Sequence, residues 1–167
     1  MNHLSRGKHI AIGAGLISMM SGPSAQAESI DVPGVQPFLK TTAAGVQIYV
    51  CEYGADHTLD WVFRQPRATL YDAHGAEVIE HSAGPSWQAR DGSRIEGKVV
   101  AQEPSDTPGS VPQLLLEAHS AGSPGMLASV RYVQRVRTVG GVKPAAPCTV
   151  EHESGSSPYI ATYIFYK

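Results

Sequence analysis

The feature that most restricts the fold of this chain is a period of two. Val46, Ile48 and Val50 alternate with Gln47, Tyr49 and Cys51, and Leu59, Trp61 and Phe63 alternate with Asp60, Val62 and Arg64. A helix cannot gather such sets on one face, whereas a strand sends successive side chains to opposite sides of a sheet. The pattern recurs in short runs rich in Val, Ile, Tyr and Trp, punctuated by Gly, Pro and Asp turns, and no stretch beyond residue 27 carries a sustained period of 3.6. The chain is therefore expected to be all-β: about nine antiparallel strands in a single sandwich or barrel.

Three hairpins stand out. Residues 68–72 and 76–82 flank Asp72-Ala73-His74-Gly75, and residues 86–89 and 94–102 flank Arg90-Asp91-Gly92-Ser93, each with a glycine to take the left-handed turn position. Residues 113–119 and 126–138 form the third, around Ala121-Gly122-Ser123-Pro124-Gly125. In its second strand Met126, Ala128, Val130, Tyr132 and Val136 are read as one face, and Arg131, Arg135 and Arg137 as an outward row. Three prolines and a glycine in residues 103–112 mark a surface loop. In the last strand both alternating sets, Tyr159-Ala161-Tyr163-Phe165 and Ile160-Ile164-Tyr166, are apolar, which predicts a central strand covered on both faces. Internal repeats are not evident.

The first 27 residues read as an export signal. Arg6 and Lys8 form the basic start, residues 10–20 are an uncharged run of eleven, and Ala25-Gln26-Ala27 ends a small, polar stretch suited to cleavage after Ala27. The run is well short of the ~20 residues of a membrane-spanning helix. With no Arg-Arg pair and no cysteine after the run, the general secretory route is expected, to the periplasm or the medium. Gly13-Ala14-Gly15 lies inside this signal with no strand before it, so it is not a dinucleotide fingerprint.

Cleavage removes two of the thirteen Lys and Arg and none of the fifteen acids, leaving 140 residues with a net charge of −4. Residues 28–44 read as a polar lead-in and residues 45–167 as the all-β domain. Neither a basic surface for nucleic acid nor a second apolar span is present, so no nucleic-acid partner and no membrane span after cleavage are expected. The only cysteines, Cys51 and Cys148, form an even pair in an oxidising compartment and are expected to be disulfide-bonded. A loop of that length gives about 4–5 kcal/mol in the chain-entropy model.

Particular residues then carry a resemblance. Gly45-Val46-Gln47-Ile48-Tyr49 with Cys51, Trp61-x-Phe63-x-x-Pro66-x-Ala68-x-Leu70-x-Asp72-x-x-Gly75, His81-x-x-Gly84-Pro85-x-Trp87 and Asp91-Gly92-Ser93 occur in this order. Leu114-Leu115-Leu116, Gln134-Arg135-x-x-Thr138-x-Gly140-Gly141, Cys148 and Tyr159-x-Ala161-x-Tyr163-x-Phe165-Tyr166 follow. The chain thereby resembles the secreted bacterial and fungal family known as domain of unknown function 3455, from Gly45 nearly to the C-terminus. The resemblance implies an exported β-rich domain and transfers no activity. Some fungal relatives carry a dehydrogenase label, but this chain has no glycine-rich βαβ segment to hold a dinucleotide, and no cofactor is expected.

The best candidate site is His81-Ser82-Ala83-Gly84-Pro85-Ser86-Trp87, which joins two hairpins. Trp87 can stack on a ligand, while His81, Ser86 and Asp91 offer hydrogen bonds or proton transfer. Against this stands a purely architectural role, in which Gly84-Pro85 makes the corner, Trp87 fills the core and His81 bonds a carbonyl. His57, His74, His81, His119 and His152 show no spacing that converges on a metal, so no metal site is expected. Ser86 lacks the following glycine of a nucleophile elbow. The arginine row suits an anionic group or, more simply, a solvated face.

Three functions follow: a non-catalytic module binding a small molecule, glycan or protein; a secreted enzyme using His81 with a carboxylate such as Asp91 or Asp72; or a structural part of a cell-surface assembly. They differ in whether His81 meets an acid in a concave pocket or only main chain.

Overall fold

In the computed structural model, residues 29–32 and 34–167 are described. The export signal and its cleavage site lie outside them. Eight strands form a closed barrel in which each pairs antiparallel with the next and the last returns to the first. They are β1 (Pro37–Tyr53), β2 (Leu59–Tyr71), β3 (Glu77–Ser82), β4 (Ser86–Ala89), β5 (Arg94–Glu103), β6 (Gln113–Ser120), β7 (Tyr132–Gly140) and β8 (Ser154–Tyr166). Closure rests on the long β1 and β8, which stay paired from Leu39↔Phe165 to Val50↔Ser154, while residues 59–67 of β2 pair with β1 alone. Among the described residues no helix is long and apolar enough to cross a membrane.

Alternation places one side chain in two inside the barrel, and β1 shows which. Gln47, Tyr49 and Cys51 are buried, whereas Val46, Ile48 and Val50 are half-exposed on the outer face. β1 also starts eight residues before Gly45, inside the stretch read as a lead-in, because Leu39 to Ala44 pair with β8. Ile30, earlier still, is buried on the outer face of the barrel against Ala101 and Leu115, and its carbonyl accepts a 2.5 Å bond from Nε2 of Gln134. The register shift between Ile48 and Tyr49 lies beside Pro66, which has no N–H to give the ladder.

The first two hairpins form as expected around residues 72–75 and 90–93. The third differs. β7 begins only at Tyr132, and residues 126–129 are a turn whose Leu127, with nearby Val130, is buried in the core at one end of the barrel. Asp91 holds that turn by accepting bonds from Met126 N (2.7 Å) and Ser93 Oγ (2.6 Å), while Ser93 Oγ accepts from Leu127 N (3.1 Å). The final strand is covered on its inner face and, on its outer face, only towards the C-terminal end, where Tyr166 is buried. A closed barrel has no central strand, so Tyr159, Ala161, Tyr163 and Phe165 are buried inside while Ile160 stands 53 % exposed outside.

The arginine row is likewise corrected. Arg131 lies before β7, and Arg137 sits with a φ of 52° at the shift between Val136 and Val139, so both stay exposed. Arg135 keeps the inward parity of Val133 and is buried. The Cys51–Cys148 disulfide is present, with Cα atoms 5.7 Å apart and a sequence separation of 97. It fastens the β7–β8 loop to β1, aided by bonds from Cys51 N to Glu153 O and from Trp61 Nε1 to Ala146 O, 2.8 Å each.

Candidate functional site

The end of the barrel opposite Leu127 is open. Its interior contains a cavity of about 400 Å³ lined in part by the β3–β4 corner and the β5–β6 loop. β1 contributes Gln47 and Tyr49, β3 His81, the corner Gly84 and Pro85, β4 Trp87, β6 Leu114 and Leu116, β7 Arg135 and β8 Tyr163. Phe63, Arg64, Pro66, Val99, Val111 and Pro112 complete the wall and rim. The peptide between Gly84 and Pro85 is cis.

His81 faces Trp87 across the β3–β4 ladder, and the two rings stack with centroids 4.7 Å apart and planes 6° from parallel. Gly97 makes room for this stack, because a Cβ there would lie 2.9 Å from the indole ring. His81 Nδ1 lies 2.8 Å from the Ser86 carbonyl. A carbonyl only accepts, so Nδ1 carries the proton and Nε2 is left as an acceptor. Burial pushes the imidazole pKa down to about 4, with the charge of Arg135 adding to the fall and the Ser86 bond opposing it. The ring is neutral at physiological pH.

The predicted residues thus divide. His81, Ser86 and Trp87 come together at the corner, and Ser86 Oγ donates to the Ala83 carbonyl at 2.8 Å, which ties the corner's backbone. Asp91 does not join them. It lies beyond the other end of β4, and its hydrogen bonds with Ser93 and Met126 hold its carboxyl below the usual range. Asp72 likewise serves its own turn, accepting from His74 N and Ala76 N. Among the described residues no Asp or Glu lines the cavity, and no group of three or more His, Cys, Asp or Glu is placed to hold a metal ion.

Three residues central to the cavity, Gln47, Tyr49 and Tyr163, escape the sequence reading, and a fourth, Arg135, was read as one of an outward row suited to an anion or a solvated face. Gln47 is 2 % exposed, and its Nε2 has no hydrogen-bond partner among the described residues; the same holds for Nε1 of Trp87, 1 % exposed. Tyr49 donates from its hydroxyl to the Gly141 carbonyl at 2.6 Å, which ties the start of the β7–β8 loop to β1. Arg135 donates from Nε (3.2 Å) and Nη2 (2.9 Å) to the Pro112 carbonyl. Tyr163 lies edge-on to Trp87, and its hydroxyl pairs with that of Tyr159 at 3.4 Å. Burial raises the Tyr163 pKa, with the Arg135 charge opposing. The available signal was a polar residue on each of two strands, Gln47 and Arg135, sharing parity with core positions.

An eight-stranded barrel encloses room either for its own side chains or for one small ligand. Here one end is filled by side chains and the other keeps a cavity. A family model described as a protein of unknown function (DUF3455) matches residues 33–167. No curated protein and no solved structure matches the chain.

Proposed function

The chain belongs to the DUF3455 family of proteins of unknown function, and we propose that it is an exported, non-catalytic binding module that takes one small organic molecule into the open mouth of its barrel. The observation that carries this reading is the pair of orphaned donors, Gln47 Nε2 and Trp87 Nε1, on side chains that line a largely apolar cavity. A buried donor without a partner costs about 1–3 kcal/mol, so a ligand that supplies acceptors recovers that loss. The disulfide supports export, because such links persist in oxidising compartments. Catalysis by His81 has no comparable support: the ring bonds main chain, and the described residues of the lining offer it no carboxylate.

The test is a thermal-shift screen of the oxidised protein against small organic molecules, glycans and lipids, repeated on Val99→Trp. Val99 is 44 % exposed at the rim, so a bulkier side chain there obstructs the mouth without disturbing the closed end. A ligand that raises Tm for the parent protein and not for V99W supports the reading. An equal rise in both places the ligand elsewhere and defeats it.

A further inference from the structure

We infer that the molecule held in the barrel mouth is an organic anion, a compact apolar body bearing one carboxylate that meets Arg135. This rests on the binding reading above and adds the ligand's charge.

Arg135 is 9 % exposed, its Nε and Nη2 share a single acceptor, the Pro112 carbonyl, and the other groups its charge acts on are the hydroxyls of Tyr49, Tyr159 and Tyr163 and the His81 ring, all neutral. A guanidinium carries five N–H donors and keeps its charge in any protein, so neutral neighbours of this kind leave a full positive charge uncompensated. None of the four ion pairs among the described residues includes it. Arg64, the other cation at the mouth, is already paired with Glu52. His81 is neutral and adds no charge. One unmatched buried cation, in a site where no described residue is acidic, calls for one negative charge from outside, since a buried charge is tolerated when paired and costly when not.

Hydrogen bonding points the same way. Beyond the guanidinium, the fully buried side-chain polar atoms without a partner among the described residues are both donors, Gln47 Nε2 and Trp87 Nε1. These donors and the guanidinium outnumber the ring acceptor that the lining offers, His81 Nε2, and an ionised carboxylate is acceptor-only. A phosphate monoester would bring close to two charges to a site whose described residues offer one unpaired cation, so a monoanion fits better. Phe63, Pro85, Val99, Leu114 and Leu116 make the remaining wall apolar. A cavity of about 400 Å³ sits at the lower end of the range for small-molecule sites, which sets the compactness of the ligand.

The experiment compares matched probes by isothermal titration of the oxidised full-length protein: 2-naphthoate against 2-naphthamide, and octanoate against 1-octanol. Each carboxylate is expected to bind at least about tenfold more tightly than its neutral partner, the scale of a charge-assisted bond. Arg135→Gln should bring the two within about threefold by weakening the carboxylate and leaving the neutral probe unchanged. Arg135→Lys, which keeps the charge and loses the fork, should retain part of the preference and serves if R135Q does not fold. Equal affinity for charged and neutral probes in the parent protein overturns the anion and leaves the binding module standing. Full carboxylate preference in R135Q overturns the role of Arg135. Silence from all four probes overturns the inference, while the Val99→Trp screen separately decides whether the mouth binds anything.

Discussion

The two ends of the barrel are built from the same eight strands and finished in opposite ways. At one end Leu127 and Val130 enter the lumen beside Leu70, Ile79, Ile95 and Phe165, each 2 % exposed or less, and Asp91 and Ser93 fasten the turn that carries Leu127. At the other the lumen holds Gln47, Trp87, Tyr163 and Arg135 around unfilled volume, and the adjoining β7–β8 loop is tied down by Tyr49, Trp61 and the disulfide. The plugged end concentrates stability in packing. The open end keeps polar groups and a charge in an unfavourable setting and depends on cross-links to hold its shape. Such a division is expected where a scaffold must stay folded while one region remains ready for a partner.

The largest effect should come from the cross-link. Replacing Cys51 and Cys148 by serine removes closure of a loop with a sequence separation of 97, with an expected loss of about 4 kcal/mol in urea unfolding. If the ends differ as described, hydrogen exchange will show new opening in residues 141–153 and unchanged local protection in residues 126–130, compared under strongly native conditions. A loss of protection spread evenly over both would break the comparison.

Next comes Leu127→Ala, which empties a fully buried leucine site at the plugged end and should cost about 3 kcal/mol, while Val111→Ala, half-buried at the mouth, should cost under about 1 kcal/mol. L127A should bind mouth ligands with unchanged Kd once its folded fraction is allowed for. An altered Kd would mean that the two ends communicate.

Acid sharpens the contrast from the other side. His81 is held neutral in the fold, with its pKa lowered from 6.5 to about 4 chiefly by burial and then by Arg135. An unfolded chain therefore takes up a proton on this residue at higher pH than the folded one. Stability from this group is complete above about pH 6.5, declines as pH falls through the window to about 4, and is lost below it, by about 3 kcal/mol in all. Asp56, Asp60, Asp72 and Asp91 have carboxyl pKa values lowered by their hydrogen bonds, so their loss comes at more acid pH. Thermal unfolding from pH 7 to 4 should show the decline in the parent protein, and His81→Phe, which still stacks on Trp87 and cannot charge, should flatten it. An unchanged slope in H81F would assign the effect elsewhere.

The plugged end was the less legible of the two in sequence. Met126, Ala128 and Val130 keep a period of two with Tyr132, so they read as strand, yet Gly125 with a φ of 156° packs against Asp91 and turns the chain under the barrel. Alternation also leaves open which set faces inward: β1 buries Gln47 and Tyr49 and exposes parts of Val46, Ile48 and Val50, the reverse of a simple hydropathy rule. The first two hairpin turns, the disulfide and the His81–Trp87 corner rest on local chemistry, and they were readable. Arg135 was not, because its neighbours Arg131 and Arg137 share its residue type and spacing, and only a bulge at Arg137 and the start of β7 at Tyr132 separate the three.

The smallest effect has the opposite sign, and it bears most directly on why the mouth is polar. In Gln47→Met an unbranched apolar side chain of similar size replaces an amide whose Nε2 is buried without a partner among the described residues. The folded state no longer carries that desolvated donor, so the variant should be more stable than the parent by about 1 kcal/mol. Ligands that supply an acceptor to this position should bind several-fold more weakly, and ligands without one should bind as before. A gain in stability joined to a loss of binding is what a retained functional polar group predicts. If Q47M is instead destabilised as strongly as L127A, the amide is serving the fold, and the two ends of the barrel are equally structural.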